Sequence, residues 1–174
     1  MNKEQFVKYY AVERKNSVSL KWDLLGQRFG DPDLIPMWVA DMDFRTPECI
    51  TDALHRRVAH GAYGYAYIPE RYYEACFNWL ESRYGFRPKK EMLRLTNGIV
   101  ASMYYFVNAF TKPGDHIIIN TPVYYPFAGA INDCSRKVVS CDMDYDHGHF
   151  TIDYAKFEQD IIDNDVKMYF LCSP

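Results

Sequence analysis

The residues best placed to do chemistry lie in Arg94-Leu95-Thr96-Asn97-Gly98-Ile99-Val100-Ala101-Ser102. Arg94, Leu95 and Thr96 read as the end of a short strand. Gly98 opens an amphipathic run in which Ile99, Val100, Met103, Tyr104, Phe106, Val107 and Phe110 recur at helical spacing. A strand that turns through Asn-Gly into a helix leaves backbone N–H groups free at the helix start. With the positive end of the helix dipole they make an anion site. An isolated Asn-Gly is more often an ordinary turn, and the next segment shifts the balance. Asp115 to Asn120 is a second buried-type strand, and it runs into Thr121-Pro122-Val123-Tyr124-Tyr125-Pro126-Phe127. An aromatic just past a strand end, near a phosphate cup, is what a flat phosphorylated cofactor needs. Gly98, Ile99 and Val100 are the candidate cup, and Tyr124 the candidate stacking ring.

Other constellations are weaker. His147-Gly148-His149, close to Asp144 and Asp146, resembles a metal cluster, but a polar hairpin tip is usually just solvated, and no metal site is expected. Ser102 and Ser173 lack the Gly-x-Ser-x-Gly elbow of a serine hydrolase. Gly61 and Gly64 follow a helix rather than a strand, so they form no dinucleotide fingerprint.

The elements that must position the cup follow from the patterning. The N-terminal 36 residues are polar and mixed and read as an irregular arm anchored by Trp22. Ile35 to Phe44 reads as a short apolar strand with Asp41 and Asp43 crowding its end. Thr46 as N-cap and Pro47 at the first position start a helix whose apolar stripe is Ile50, Ala53, Leu54 and Val58, ended by Gly61. Glu70 to Tyr84 is a second amphipathic helix, with Tyr73, Cys76, Phe77 and Leu80 on one face and Gly85 as its cap. Beyond Lys112-Pro113-Gly114-Asp115 come a helix from Tyr124 to Asp133 and a strand from Lys137 to Cys141. A polar turn from Asp144 to His149, a helix from Ile152 to Asn164 and a strand from Lys167 to Cys172 follow. Strands alternating with helices predict an α/β fold, a mainly parallel sheet flanked by helices, with ligands at the strand carboxyl ends.

Composition sets limits. The 174 residues, 48% hydrophobic and 25% charged, suffice for a globular core. A net charge of −3 gives no basic footprint for nucleic acid. Five scattered cysteines without Cys-x-x-Cys spacing argue against a zinc site or a disulfide framework and for reduced thiols. The N-terminus lacks the apolar core of a signal peptide, and no run of about 18 apolar residues predicts a membrane span. A cytoplasmic protein is expected. Aromatics at 17%, with 15 tyrosines, suit a ligand pocket or a subunit interface.

Gly98-Ile99-Val100 followed by Asn120-Thr121-Pro122-Val123-Tyr124 resembles the class I/II aminotransferase fold of enzymes that use pyridoxal 5′-phosphate (PLP). Met37-Trp38-Val39-Ala40-Asp41-Met42-Asp43-Phe44 and Tyr63-Gly64-Tyr65 narrow the likeness to the MalY/PatB-type cystathionine β-lyases, the C–S lyase branch. The resemblance runs over essentially the whole chain. It implies the N-terminal part of a fold-type-I PLP-dependent transferase fold, truncated. Residues 1–45 would be the arm and small-domain segment, and 46–174 the first part of the large PLP-binding domain. It also implies an amino-acid substrate whose carboxylate meets the backbone of Val39, Ala40 and Asp41. Tyr65 would reach the cofactor phosphate of the neighbouring subunit in a homodimer. The reaction would be α,β-elimination giving a thiol, ammonia and pyruvate, with aminotransfer as the alternative. None of the ten lysines follows a Ser or Thr three residues earlier, as the family's Schiff-base lysine usually does. That lysine and the acid pairing the ring nitrogen are expected beyond Pro174, which leaves a non-catalytic fragment as the third alternative.

Overall fold

Three consecutive isoleucines hold the sheet together. In the computed structural model, which describes residues 1–173, Ile117, Ile118 and Ile119 are fully or almost fully buried at the centre of strand β1, His116–Thr121. A strand covered on both faces reads as a continuous apolar run rather than an alternating one. β2, Lys137–Asp142, pairs with β1 in parallel from His116 opposite Lys137 to Thr121 opposite Asp142. The last strand, Met168–Phe170, lies parallel on the other side of β1, with Ile117 opposite Met168. Successive side chains point to opposite faces, so Ile117 and Ile119 pack with Val107 and Ile131, while Ile118 packs with Val139 and Cys141.

The chain divides into two compact units, Met1–Ile68 and the residues from Pro69 onward. The second unit holds the sheet. Helix Ile99–Phe110 supplies Val107 to the first face and helix Pro126–Asp133 supplies Ile131; helix Tyr154–Asp163 covers the second face through Phe157 and Ile161. Asp153 caps that last helix by accepting from Ala155 N and Lys156 N, each at 3.0 Å. The parallel sheet flanked by helices therefore forms as expected. The unit begins with helix Glu70–Tyr84, which has the bounds read from the sequence, buries Phe77, and stops at Gly85 in the left-handed region, φ 65°.

The first unit carries four helices: α1 Lys3–Tyr10, α2 Leu20–Asp23, α3 Leu25–Phe29 and α4 Glu48–His60. In chain order the helices of the second unit are then α5 Glu70–Tyr84, α6 Ile99–Phe110, α7 Pro126–Asp133 and α8 Tyr154–Asp163. β3 Asp144–Asp146 and β4 His149–Thr151 form a small antiparallel hairpin, and Met168–Phe170 is β5.

Several expectations are corrected. The arm is not irregular: Asn2 accepts from Gln5 N at 2.9 Å while Gln5 reaches back to Asn2 N at 3.0 Å, a reciprocal cap that starts α1. Ile35 to Phe44 is not a strand. Its ladder is a single antiparallel bridge between Ala11 and Phe44, and Pro36 cannot donate. Arg94 to Thr96 pairs with no strand among the described residues. Pro47, not Thr46, is the N-cap of α4, and Ile50, Ala53, Leu54 and Val58 are all exposed. α7 begins two residues later than read, and the polar turn after β2 is the β3–β4 hairpin.

Candidate functional site

α6 starts without a side-chain cap, and its first turn carries no acidic residue. The first intrahelical bond is Ser102 N to Gly98 O at 3.1 Å. The N–H groups ahead of it, from Gly98 to Ala101, are the orphan donors every helix start presents. Gly98 has φ 109° and ψ 163°, a conformation that is essentially glycine's alone. A Cβ built there meets nothing within 4 Å, so the space beside the cup is open. Two hydroxyls brace the turn: Thr96 Oγ1 lies 2.6 Å from Ser102 Oγ, which donates to Gly98 O at 3.0 Å. Ile99 and Val100 stay exposed at the mouth, while Met103 and Val107, one and two turns on, are buried, and Val107 packs against the sheet. Uncapped amides, an exposed mouth and open space fit a phosphate monoester.

The far end of α6 is fixed by a residue the sequence reading passed over. Arg136 is buried, and its guanidinium donates to Thr111 O at 2.7 Å, Thr111 Oγ1 at 3.0 Å and Asn108 Oδ1 at 3.3 Å. A cation on the last carbonyls complements the negative end of the helix dipole. Nothing in the local pattern around Arg136 announces this; it is set by the chain folding back 25 residues later.

Tyr124 lies just past β1. From the turn at Lys112–Asp115, α6 runs back over 12 residues and β1 runs forward over 6. At their respective rises both cover about 18–20 Å. Gly98 and Tyr124 therefore stand at the same end of the sheet, the carboxyl end. Tyr124 is half exposed, with its ring edge on to Tyr125 at 5.2 Å. The strand end beneath it is tightly held. Buried Asn120 donates to Cys141 O at 3.3 Å and accepts from Tyr169 Oη at 2.5 Å, which ties β1 to both neighbours. The Thr121 and Ser140 hydroxyls both bond Asp142 and hold its carboxyl below the usual range.

Val39, Ala40, Asp41 and Tyr65 belong to the first unit. Tyr65 is fully exposed in its tyrosine-glycine loop, where Tyr63 Oη donates to Val58 O at 3.0 Å. The carboxylates of Asp41 and Asp43 are drawn into a network. Lys21 Nζ donates to Asp43 Oδ2 at 2.8 Å, and Trp22 Nε1 to Asp43 Oδ1 at 2.9 Å. Arg14 pairs with both carboxylates. Lys21 first, then Trp22, hold the Asp43 carboxyl below its ordinary pKa. Trp22 is thus the anchor expected, while Lys21 and Arg14 were not foreseen. Among the described residues no group of His, Cys, Asp or Glu is clustered to hold a metal, and no helix is long and apolar enough to cross a membrane.

A parallel α/β sheet whose carboxyl end presents both an uncapped helix start and an exposed aromatic defines a class of protein, one that gathers a ligand at that end. The match to a family narrows it: the profile for aminotransferase class I and II covers residues 32–174, and the chain belongs to that family. It is 37% identical over 162 residues to the cystathionine beta-lyase PatB of Bacillus subtilis (strain 168), covering 93% of this chain and 42% of that protein. Cystalysin from Treponema denticola, whose crystal structure contains a pyridoxal 5′-phosphate cofactor, matches with a TM-score of 0.84 at 35% identity, over 94% of this chain and 42% of that one. The PLP-bound C–S lyase from Staphylococcus hominis matches with a TM-score of 0.82 at 31% identity, over 91% and 40%. The chain spans about two fifths of the length of these relatives.

Proposed function

We propose that the chain forms the phosphate-holding and ring-stacking part of a PLP-dependent C–S lyase. The reaction is α,β-elimination on a sulfur amino acid such as cystathionine or cysteine, releasing a thiol, ammonia and pyruvate. The observation that carries this is the open, uncapped start of α6 at Gly98, at the same sheet end as Tyr124. Bound PLP supplies an electron sink for the substrate's α-carbon. The amides of Gly98, Ile99 and Val100 hold its phosphate, and Tyr124 lies against the ring. The backbone at Val39, Ala40 and Asp41 faces the substrate carboxylate, and Tyr65 gives its hydroxyl to the phosphate site of a second subunit in a cytoplasmic homodimer. The five cysteines are free thiols, as a reducing compartment keeps them. Residues 1–45 serve as arm and small-domain segment, and 46–174 as the first part of the PLP-binding domain. The covalent lysine and the ring-nitrogen acid come from outside the chain, since the resemblance matches neither to a residue here.

The family name itself favours aminotransfer as a second reading. One assay separates the two. With cystathionine as substrate, the cofactor-loaded enzyme carrying this chain should release pyruvate and ammonia without any 2-oxo acid being added. Turnover that needs a 2-oxo acid acceptor and releases no ammonia would make it an aminotransferase.

A further inference from the structure

The segment from Trp38 to Arg45 has no helix or strand to hold it, yet it is fastened along its length to residues 10–22. Trp38 Nε1 donates to Lys21 O at 3.1 Å. Lys21 Nζ donates to Asp41 O at 2.9 Å as well as to Asp43 Oδ2. Arg14 Nη1 donates to Met42 O at 3.3 Å and pairs with the Asp41 carboxylate. Val12 N donates to Asp43 O at 3.0 Å, and Arg45 N to Tyr10 O at 2.7 Å. Lys21 is the hub, and it is only 8% exposed. A lysine that deep is costly unless its charge is matched, and both its acceptors lie on this one segment. A buried ion pair contributes little net stability compared with an apolar side chain of similar size. What Lys21 adds is placement: its two bonds set the direction of the Asp41 carbonyl and hence of the peptides before it. Among the described residues the N–H groups of Val39, Ala40 and Asp41 meet no acceptor.

We propose that Lys21, assisted by Arg14, is a positioning residue that holds the Val39–Asp41 backbone so its free N–H groups meet the substrate carboxylate, an inference that rests on the assignment of those three residues to substrate. Lys21 touches neither substrate nor cofactor in this role. It acts through Asp41 and Asp43.

The experiment has a structural arm and a kinetic arm. In the full chain, Lys21→Met should speed amide exchange at Val12 and Arg45, read by NMR, about tenfold, with the amides of α6 and β1 unchanged. In the cofactor-loaded enzyme carrying the chain, Lys21→Met should raise KM for the amino acid about tenfold, with kcat within about twofold and PLP affinity unchanged. Lys21→Arg, which keeps the charge, should recover part of the loss, a recovery that a merely space-filling lysine would not require. Arg14→Gln, at the more exposed partner, should move both readouts the same way by less, and serves if Lys21→Met fails to fold. Ala40→Leu tests the assignment directly, because bulk at that peptide should raise KM by itself. Unchanged exchange at Val12 and Arg45 overturns the proposal. If Ala40→Leu raises KM while Lys21→Met alters exchange alone, the positioning role is overturned and the substrate assignment stands. If Ala40→Leu leaves KM unchanged, the assignment falls and the positioning role falls with it.

Discussion

At the scale of single residues, Tyr124 offers a ring on a rigid base. Asn120 locks the strand four residues before it, so little ordering entropy remains to be lost when a flat ligand stacks there. Removing an aromatic stacking partner costs about 0.5–1.5 kcal/mol beyond lost area. Tyr124→Ala should therefore weaken PLP retention by roughly tenfold, and Tyr124→Phe by much less, both measured by dialysis against the free cofactor. Unchanged retention in Tyr124→Ala would move the role to Tyr125. Asp43 makes a different kind of statement. Donors from Lys21 and Trp22 lower its folded-state pKa below the unfolded value. Its contribution to stability is thus complete above about pH 4, the unfolded aspartate value, and drains away as pH falls through the lower folded pKa. Trp22 donates to Asp43 and Trp38 to Lys21, so tryptophan fluorescence in acid titration should report the loss. In Asp43→Asn that acid-dependent portion should be missing, with lower stability already at neutral pH. An acid transition identical to the parent's would show that Asp43 carries none of it.

At the scale of elements, what was legible followed from local rules. α5 could be read to the residue because a periodic apolar face, Tyr73, Cys76, Phe77 and Leu80, ends at a glycine that does adopt the left-handed turn. β1 and β2 could be read because β-branched runs bounded by turns rarely form anything else. The failures share one cause, which is that pattern names a face without naming its partner. Ile35 to Phe44 has strand-like residues but finds side chains instead of a ladder. Ile50, Leu54 and Val58 recur at helical spacing on α4, yet nothing among the described residues covers them. The helix start at Gly98 was legible from Asn-Gly before an apolar run, although the residues before it are extended chain rather than a paired strand. Its braces Thr96 and Ser102, and Arg136 behind it, were not, because they act across turns and across 25 residues of sequence. Gly98→Ala tests the element as a whole. An alanine in this conformation costs about 1–3 kcal/mol of backbone strain, which at roughly 2–4 °C per kcal/mol for a chain of this size is a readable fall in melting temperature. Phosphate affinity should fall as well, since relieving the strain turns the N–H groups of Ile99 and Val100. A variant with parental melting and affinity would mean that the turn has another shape.

At the scale of the whole molecule, β2 and β5 each pair on one side only among the described residues. Open strand edges are templates for association. With the chain spanning about two fifths of its relatives' length, the proposal that the covalent lysine lies elsewhere has a direct consequence. Residues 1–174 alone, given PLP and cystathionine, should release pyruvate no faster than free PLP does. Faster release that one lysine substitution abolishes would place the lysine inside the chain. Tyr65 belongs to the same scale, for it is fully exposed and proposed to serve a neighbouring subunit. Tyr65→Phe should raise the PLP concentration needed for activity in the complete enzyme while leaving its melting temperature within about 1 °C, as surface substitutions do. A complete enzyme that is active and monomeric in sedimentation would remove Tyr65 from the site.

The uncharged start of α6 has a consequence for how the site behaves toward acid and base. At the front of the helix stand backbone amides and the hydroxyls of Thr96 and Ser102. At the back stands the guanidinium of Arg136, on the last carbonyls of the helix. The amides and hydroxyls at the front are uncharged hydrogen-bonding groups, so they present a fixed electrical background to the ligand. The ligand carries the remaining variable, the second ionisation of a phosphate monoester near pH 6. Affinity for a simple phosphate ester should climb through about pH 6 and level off above about pH 7, tracing the dianion fraction as an indicator dye would.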